Sequence, residues 1–169
     1  MSTRVAIISD THIPSRASEI PDWVLDELDA ADLAIHAGDF DTYDSYDLVQ
    51  DVTPELTAVL GNIDPPDLDV PEVAALDVEG VRFVVTHGTG DIAGYEERVG
   101  SIVAEHADDD RQTVGVSGHT HQQAEWEHEG YTCYNPGTCT AADPATIAAM
   151  LVATVDGETL DIEKMQKST

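Results

Sequence analysis

Basic residues are scarce in this chain. Seven Lys and Arg stand against 34 Asp and Glu in 169 residues, a formal net charge of −27. The seven cations are scattered, so no basic patch exists to draw a nucleic acid, and a nucleic-acid partner is disfavoured. Cysteine is scarce too. Cys133 and Cys139 are the only two, form no Cys-x-x-Cys, and need not pair. No apolar run approaches the roughly 20 residues of a membrane span, which argues against a membrane partner. No basic-then-apolar leader precedes the first strand. There is no internal repeat, linker or low-complexity segment. These absences lead to the expectation of one cytoplasmic domain over residues 1–169, with homo-oligomerisation left open.

What is present is a foldable core under an unusual surface. Hydrophobic residues make up 41% of the chain, a globular proportion. Self-repulsion at −27 destabilises a compact chain in dilute buffer. At about 1 M salt the Debye length falls to roughly 3 Å, and exposed like charges hardly feel one another. The composition therefore reads as halophilic; the plainer alternative is an acidic protein that needs divalent cations.

Residues 4–9 form a run centred on Val5, Ile7 and Ile8, the β-branched pattern of a strand buried on both faces. Pro21 opens a helix with Trp23, Val24, Leu25 and Leu28 roughly on one face. Residues 31–37 read as a second strand, 43–51 as a short helix, and 56–60 as a third strand. Strand, helix, strand, helix, strand predicts a parallel sheet with right-handed crossovers. Three prolines make 63–72 a loop. Residues 73–78 and 81–86 flank Glu79-Gly80 as a hairpin, 95–107 read as a helix, and 113–117 as another buried strand. Segments 124–127, 131–134, 145–155 and 159–164 look short and alternating, as in antiparallel hairpins.

Metal-ligand residue types recur at the predicted strand ends: Asp10 and His12, Asp39, Asn62, His87, then His119 and His121. Open sheets of this kind place their sites at the carboxyl ends of the strands. Asp39 closes a short apolar run with Gly38 before it, as a buried strand would when delivering one carboxylate. Asp10-x-His12 and His119-x-His121 read as extended pairs, since period two aims i and i+2 at the same face. Singly, each has a duller reading: a helix cap for Asp10 or Asp39, a turn for Asn62 or His87.

In this order, Asp10-x-His12, Gly38-Asp39, Gly61-Asn62, His87 and Gly118-His119-x-His121 resemble the calcineurin-like metallophosphoesterases, specifically their small prokaryotic YfcE-type phosphodiesterases. Asn135-Pro136-Gly137-Thr138 matches a late Asn-Pro-Gly-Ser segment of that family, so the resemblance runs from Val5 to about Gly137. It implies an α/β fold, a two-sheet αββα sandwich of mixed sheets flanked by helices. It implies two divalent transition-metal ions, one held by Asp10, His12, Asp39 and His121, the other by Asp39, Asn62, His87 and His119. Mixed imidazole, carboxylate and amide ligands suit Mn²⁺ first, with Ni²⁺, Fe, Co²⁺ or Zn²⁺ as alternatives, rather than Ca²⁺. Asp39, Asn62 and His87 carry the catalytic assignment, and Asn62 and Asn135 the substrate-binding one. The implied activity is hydrolysis of a small phosphodiester by a hydroxide activated between two metal ions.

One departure stands out. Many family members carry a histidine directly after the Asn, able to protonate the leaving group; here that position is Ile63, followed by Asp64. The alternatives are a phosphomonoesterase on the same centre or a non-catalytic, Vps29-like scaffold. Of the remaining histidines, His36 reads as packed within a strand, His106 as a helix C-terminal charge and His128 as a turn residue. Asp108-Asp109-Asp110 reads as a solvated loop, and Trp23 and Trp126 as packing.

Overall fold

In the computed structural model, which describes residues 2–168, the first three strands are parallel neighbours. β1 (Thr3–Ile8) pairs with β2 (Leu33–His36), and β2 with β3 (Leu56–Ala58). Helix α1 (Asp22–Ala30) links the first two and α2 (Tyr43–Val52) the next. Thr42 caps α2, its Oγ1 accepting the Ser45 amide at 3.1 Å, so the chain turns cleanly out of β2. Two late strands, β9 (Ile147–Asp156) and β10 (Thr159–Ser168), return antiparallel and complete a sheet ordered β10-β9-β1-β2-β3.

The second sheet runs β4-β5-β6-β8-β7. β4 (Val73–Val78) and β5 (Val81–Thr86) form the expected hairpin, β6 (Gln112–Val116) lies parallel to β5, and β8 (Tyr131–Asn135) parallel to β6. β7 (Ala124–His128) closes that edge, and α3 (Tyr95–Glu105) crosses between β5 and β6.

Alternation along β1 explains the layering. Val5 and Ile7 join Ile35, Phe83, Val85, Val114, Val116 and Leu151 in a core between the sheets. Ala6 and Ile8 face the other way, onto Val24, Leu28 and Val49 of α1 and α2. On the outer face of the second sheet, Val84 and Cys133 meet Tyr95, Val99 and Val103 of α3. The result is the αββα sandwich. Each fully buried Val, Ile or Phe contributes roughly 1.5–3 kcal/mol, which suits a chain so rich in them at these positions.

Two expectations differ from the structure. β10 runs over Thr159–Ser168, longer than the 159–164 read from the sequence, and β9 does not alternate as expected. β9 sits between β1 and β10 with both faces covered, so its burial is nearly continuous rather than alternating. His128 is the last residue of β7, not a turn residue; a Cβ on Gly100 of α3 would overlap its ring, so glycine lets strand and helix touch there. His106 caps α3, its Nδ1 donating to the Ile102 carbonyl at 2.9 Å. Among the described residues no helix is long and apolar enough to cross a membrane.

Candidate metal centre

Five parallel strands from two sheets end at one edge of the sandwich. Asp10 follows β1, Asp39 follows β2, Asn62 follows β3, His87 follows β5, and His119 and His121 follow β6. Ligand atoms of Asp10, His12 and His121 lie within 4.8 Å of one another, and so do those of Asp39, His87 and His119. Asp39 stands between the groups. Its Oδ2 is 3.0 Å from His87 Nε2 and 3.4 Å from His12 Nε2. Asn62 is exposed and shares with His87 the wall of a cavity at this edge.

The pairs Asp10-x-His12 and His119-x-His121 do converge, but not as extended segments. Asp10, His12, His119 and His121 have φ of 54°, 46°, 76° and 64°, and Asp39 has 68°. These are left-handed conformations, which cost side-chain-bearing residues energy and persist only where surroundings enforce them. The enforcement is visible. Thr138 Oγ1 donates to the Asp10 carbonyl at 2.8 Å and Thr140 Oγ1 to that of Thr11 at 2.9 Å. Gly61 and Gly118 pass so close to the carboxylates that a Cβ at either would overlap Asp39 Oδ1 or Ser9 Oγ respectively.

Each carboxylate has one oxygen tied and one aimed inward. Asp10 Oδ2 accepts Ser9 Oγ–H at 2.7 Å and the His119 amide at 3.1 Å. Its Oδ1 is buried without a hydrogen-bond partner, 3.4 Å from His12 Nε2 and 3.4 Å from His121 Nε2. Asp39 Oδ1 accepts the Ile63 amide at 2.9 Å, leaving Oδ2 for the imidazoles. The imidazoles repeat the pattern. His12 Nδ1 donates to Asp41 Oδ1 at 2.9 Å, His87 Nδ1 to the Ala37 carbonyl at 2.7 Å, and His121 Nδ1 to the Ala142 carbonyl at 3.3 Å. His119 Nε2 donates to the Gly90 carbonyl at 2.8 Å. Every ring thus has one nitrogen held by an oxygen, which directs the lone pair of the other toward the cluster. His12 Nε2 and His121 Nε2 face each other at 3.1 Å, and His87 Nε2 is buried without a hydrogen bond. Converging lone pairs and orphaned buried atoms repel unless cations sit among them, so these donors fit divalent metal ions.

The electrostatics agree. Burial penalises charge on Asp10 and Asp39, yet the surrounding imidazoles outweigh it and hold both well below the carboxylate range. Burial also opposes a charged His12, but Asp10 and Asp39 lift it to about 10. Without metal, protons would supply the positive charge this cluster demands.

Asp64 is the organiser. It is 6% exposed, and its Oδ2 accepts the amides of Asp39 (2.9 Å) and Gly61 (2.8 Å), its Oδ1 those of Phe40 (2.6 Å) and Asp41 (3.2 Å). It thereby clamps the loop after β2 to the loop after β3. His36 is packed as the sequence implied, fully buried and stacked on Phe40 at 3.6 Å between ring centroids. It accepts the Gly38 amide on Nδ1 at 3.0 Å, and burial pulls it down to about 3, so it stays neutral. Asn135, assigned to substrate from the sequence, is fully buried. Its Nδ2 reaches the Gly118 carbonyl, Thr120 Oγ1 and Tyr95 Oη, and its Oδ1 accepts the Gly137 amide. It braces the histidine loop from beneath. Nothing in the sequence singles out Asp41 or Tyr95: one is an acid among 34, the other only the first residue of a helix.

The family model for the calcineurin-like phosphoesterase superfamily domain matches residues 3–158. A probable metallophosphoesterase of Methanothermobacter thermautotrophicus is 34% identical over 160 residues, covering 94% of this chain and 90% of that protein. The solution structure of a Thermotoga maritima protein superposes with a TM-score of 0.73 at 29% identity, over 99% of both chains. Vps29 of Chaetomium thermophilum superposes with a TM-score of 0.77 at 19% identity over 98% of each, a likeness of fold alone. The fold and its cluster of aspartates and histidines are those of metal-dependent phosphoester chemistry. The chain belongs to the calcineurin-like phosphoesterase superfamily.

Proposed function

We propose that this chain is a single-domain phosphodiesterase acting on a small phosphodiester. Asp10, His12, Asp39 and His121 would hold one divalent ion, and Asp39, Asn62, His87 and His119 the other, Mn²⁺ being the first choice. The observation that carries this is the position of Asp39 Oδ2, within 3.4 Å of imidazoles from both groups. When bound, such ions supply Lewis-acid charge for phosphoryl oxygens and a nucleophilic hydroxide at neutral pH. The chain's own part is placement. Asp39 Oδ1 and Asp10 Oδ2 are anchored by hydrogen bonds, so the free oxygens are fixed before metal arrives. Two carboxylates among seven ligands leave net positive charge for a phosphate. Ile63 cannot protonate a leaving group; its amide instead orients Asp39. The −27 surface supports a chain that works in concentrated salt, in the cytoplasm.

A chelation series tests this. Bis(p-nitrophenyl) phosphate hydrolysis in 2 M KCl should vanish with EDTA and return with Mn²⁺, and should exceed p-nitrophenyl phosphate hydrolysis. Turnover indifferent to EDTA would sink the mechanism, and a monoester preference would make the chain a phosphomonoesterase. A Vps29-like scaffold would show no turnover with any metal; the intact ligand set weighs against it.

A further inference from the structure

A cavity of about 390 Å³ opens beside His87 and Asn62, within the size range of small-molecule sites. Leu60, Val73 and Ile102 give it apolar walls, and Arg98 is the sole Lys or Arg among its described lining residues. Arg4, Arg82, Arg111 and Lys164 each lie against a carboxylate. Among the described residues Arg16, Arg98 and Lys167 form no such pair, and of these three only Arg98 lines the cavity. The Arg98 Nη2 donates to the carbonyls of Gly88 and Asp91, both at 2.9 Å. The guanidinium covers Gly90, where a Cβ would come within 3.0 Å of Cζ, and Cζ stands 6.0 Å from the Tyr95 ring centroid. Its Nε is buried without a partner. Neutral groups therefore hold the guanidinium, and the two acids of the cavity wall, Asp64 and Glu72, form no ion pair with it among the described residues, in a molecule where acids outnumber cations nearly five to one. A fixed fork of donors with unspent charge is built to meet an anionic oxygen group.

We infer that this cavity receives the organic group of the phosphodiester, and that Arg98 recognises a second anionic group carried on it, a carboxylate or a further phosphate. Leu60, Val73 and Ile102 would pack the carbon skeleton between the two charges. This rests on the phosphodiesterase reading, and the test separates the two. The probes are symmetric diesters, so either arm can enter: bis(4-carboxyphenyl), bis(4-phosphonophenyl) and bis(4-carbamoylphenyl) phosphate, assayed with Mn²⁺ in 2 M KCl to screen the surface. The ratio of kcat/KM for an anionic diester over the carbamoyl one should fall about tenfold in Arg98→Gln, the size of one charge-assisted hydrogen bond. Comparing the carboxylate and phosphonate arms in the unmodified protein identifies the preferred anion. Arg98→Lys keeps the charge and should retain at least a threefold part of the preference. A ratio unmoved by Arg98→Gln overturns the inference: Arg98 would then only brace the loop whose Gly90 carbonyl holds His119, or touch the reacting phosphate itself. If no diester is cleaved, the phosphodiesterase reading fails, and the cavity is judged by calorimetry with monomethyl 4-carboxybenzylphosphonate and its carbamoyl twin. Tighter carboxylate binding that is lost in Arg98→Gln upholds the cavity's role; equal binding ends it.

Discussion

Where β5 and β6 begin, Arg82 grips Asp77 through Nε at 2.7 Å and Nη2 at 2.9 Å, and Arg111 meets Asp108 at 2.8 Å. Those groups are part-exposed, and among the described residues the left-handed non-glycines at that end are confined to the hairpin turns, at Glu79 and Glu129. Where the same strands finish, Asp10, Asp39, His12 and His87 are buried, among the described residues no Lys or Arg forms an ion pair with either carboxylate, and left-handed backbone recurs from loop to loop. The first end neutralises charge locally in water. The second stores uncompensated charge and strain behind protein walls, and so has something to give a ligand. The fold is one; the difference lies in which ends of the strands the loops leave from.

This contrast can be broken by substitution. Asp39→Ala should have the largest effect, stripping both ions and activity, while His12→Ala should weaken one site; metal content after dialysis measures it, and near-full retention in both variants would contradict a shared carboxylate. Asp64→Asn comes next. It turns an amide group toward backbone N–H donors that now share a carboxylate, and should cost about 3 kcal/mol in urea-unfolding free energy. A loss well under 1 kcal/mol would show that the clamp is dispensable.

pH sharpens the comparison within the buried end. In metal-stripped protein His12 holds its proton more tightly folded than unfolded, so its contribution is complete below 6.5 and is lost as pH rises toward about 10. His36 behaves oppositely: burial lowers it to about 3, so its contribution is present above 6.5 and is lost as pH falls from there. The urea midpoint of the EDTA-treated chain should peak near neutrality and decline on both sides, and a flat profile from pH 7 to 10 would refute the His12 assignment. The smallest effect belongs to the solvent-facing end. Asp77→Ala should leave the urea midpoint in 2 M KCl unchanged within error, since screened surface pairs add little.

Much of this was legible in the sequence because strand ends were. β-branched runs closed by glycine located Asp39, Asn62 and His119, and one missing side chain is what lets the loops press together at Gly61 and Gly118. The left-handed turns at Asp10 and His12 were not legible, because Asp-x-His carries the same residues whether the backbone is extended or reversed. Asp41 was hidden by composition, since any one of 34 acids could have supported His12. Asn135 was read as a pocket residue because its motif was visible, whereas its burial depends on Gly118, Thr120 and Tyr95 arriving from elsewhere. The nearly continuous burial of β9 likewise depends on a neighbour from the far end of the chain, β1.

The carboxylate of Asp64 holds amide hydrogens from residues 39, 40, 41 and 61 at once. None of the four can be surrendered to solvent singly without leaving a buried acceptor half-served. Deuterium should therefore enter all four in one concerted opening of the sandwich edge, at a common rate slower than that of the surrounding loops.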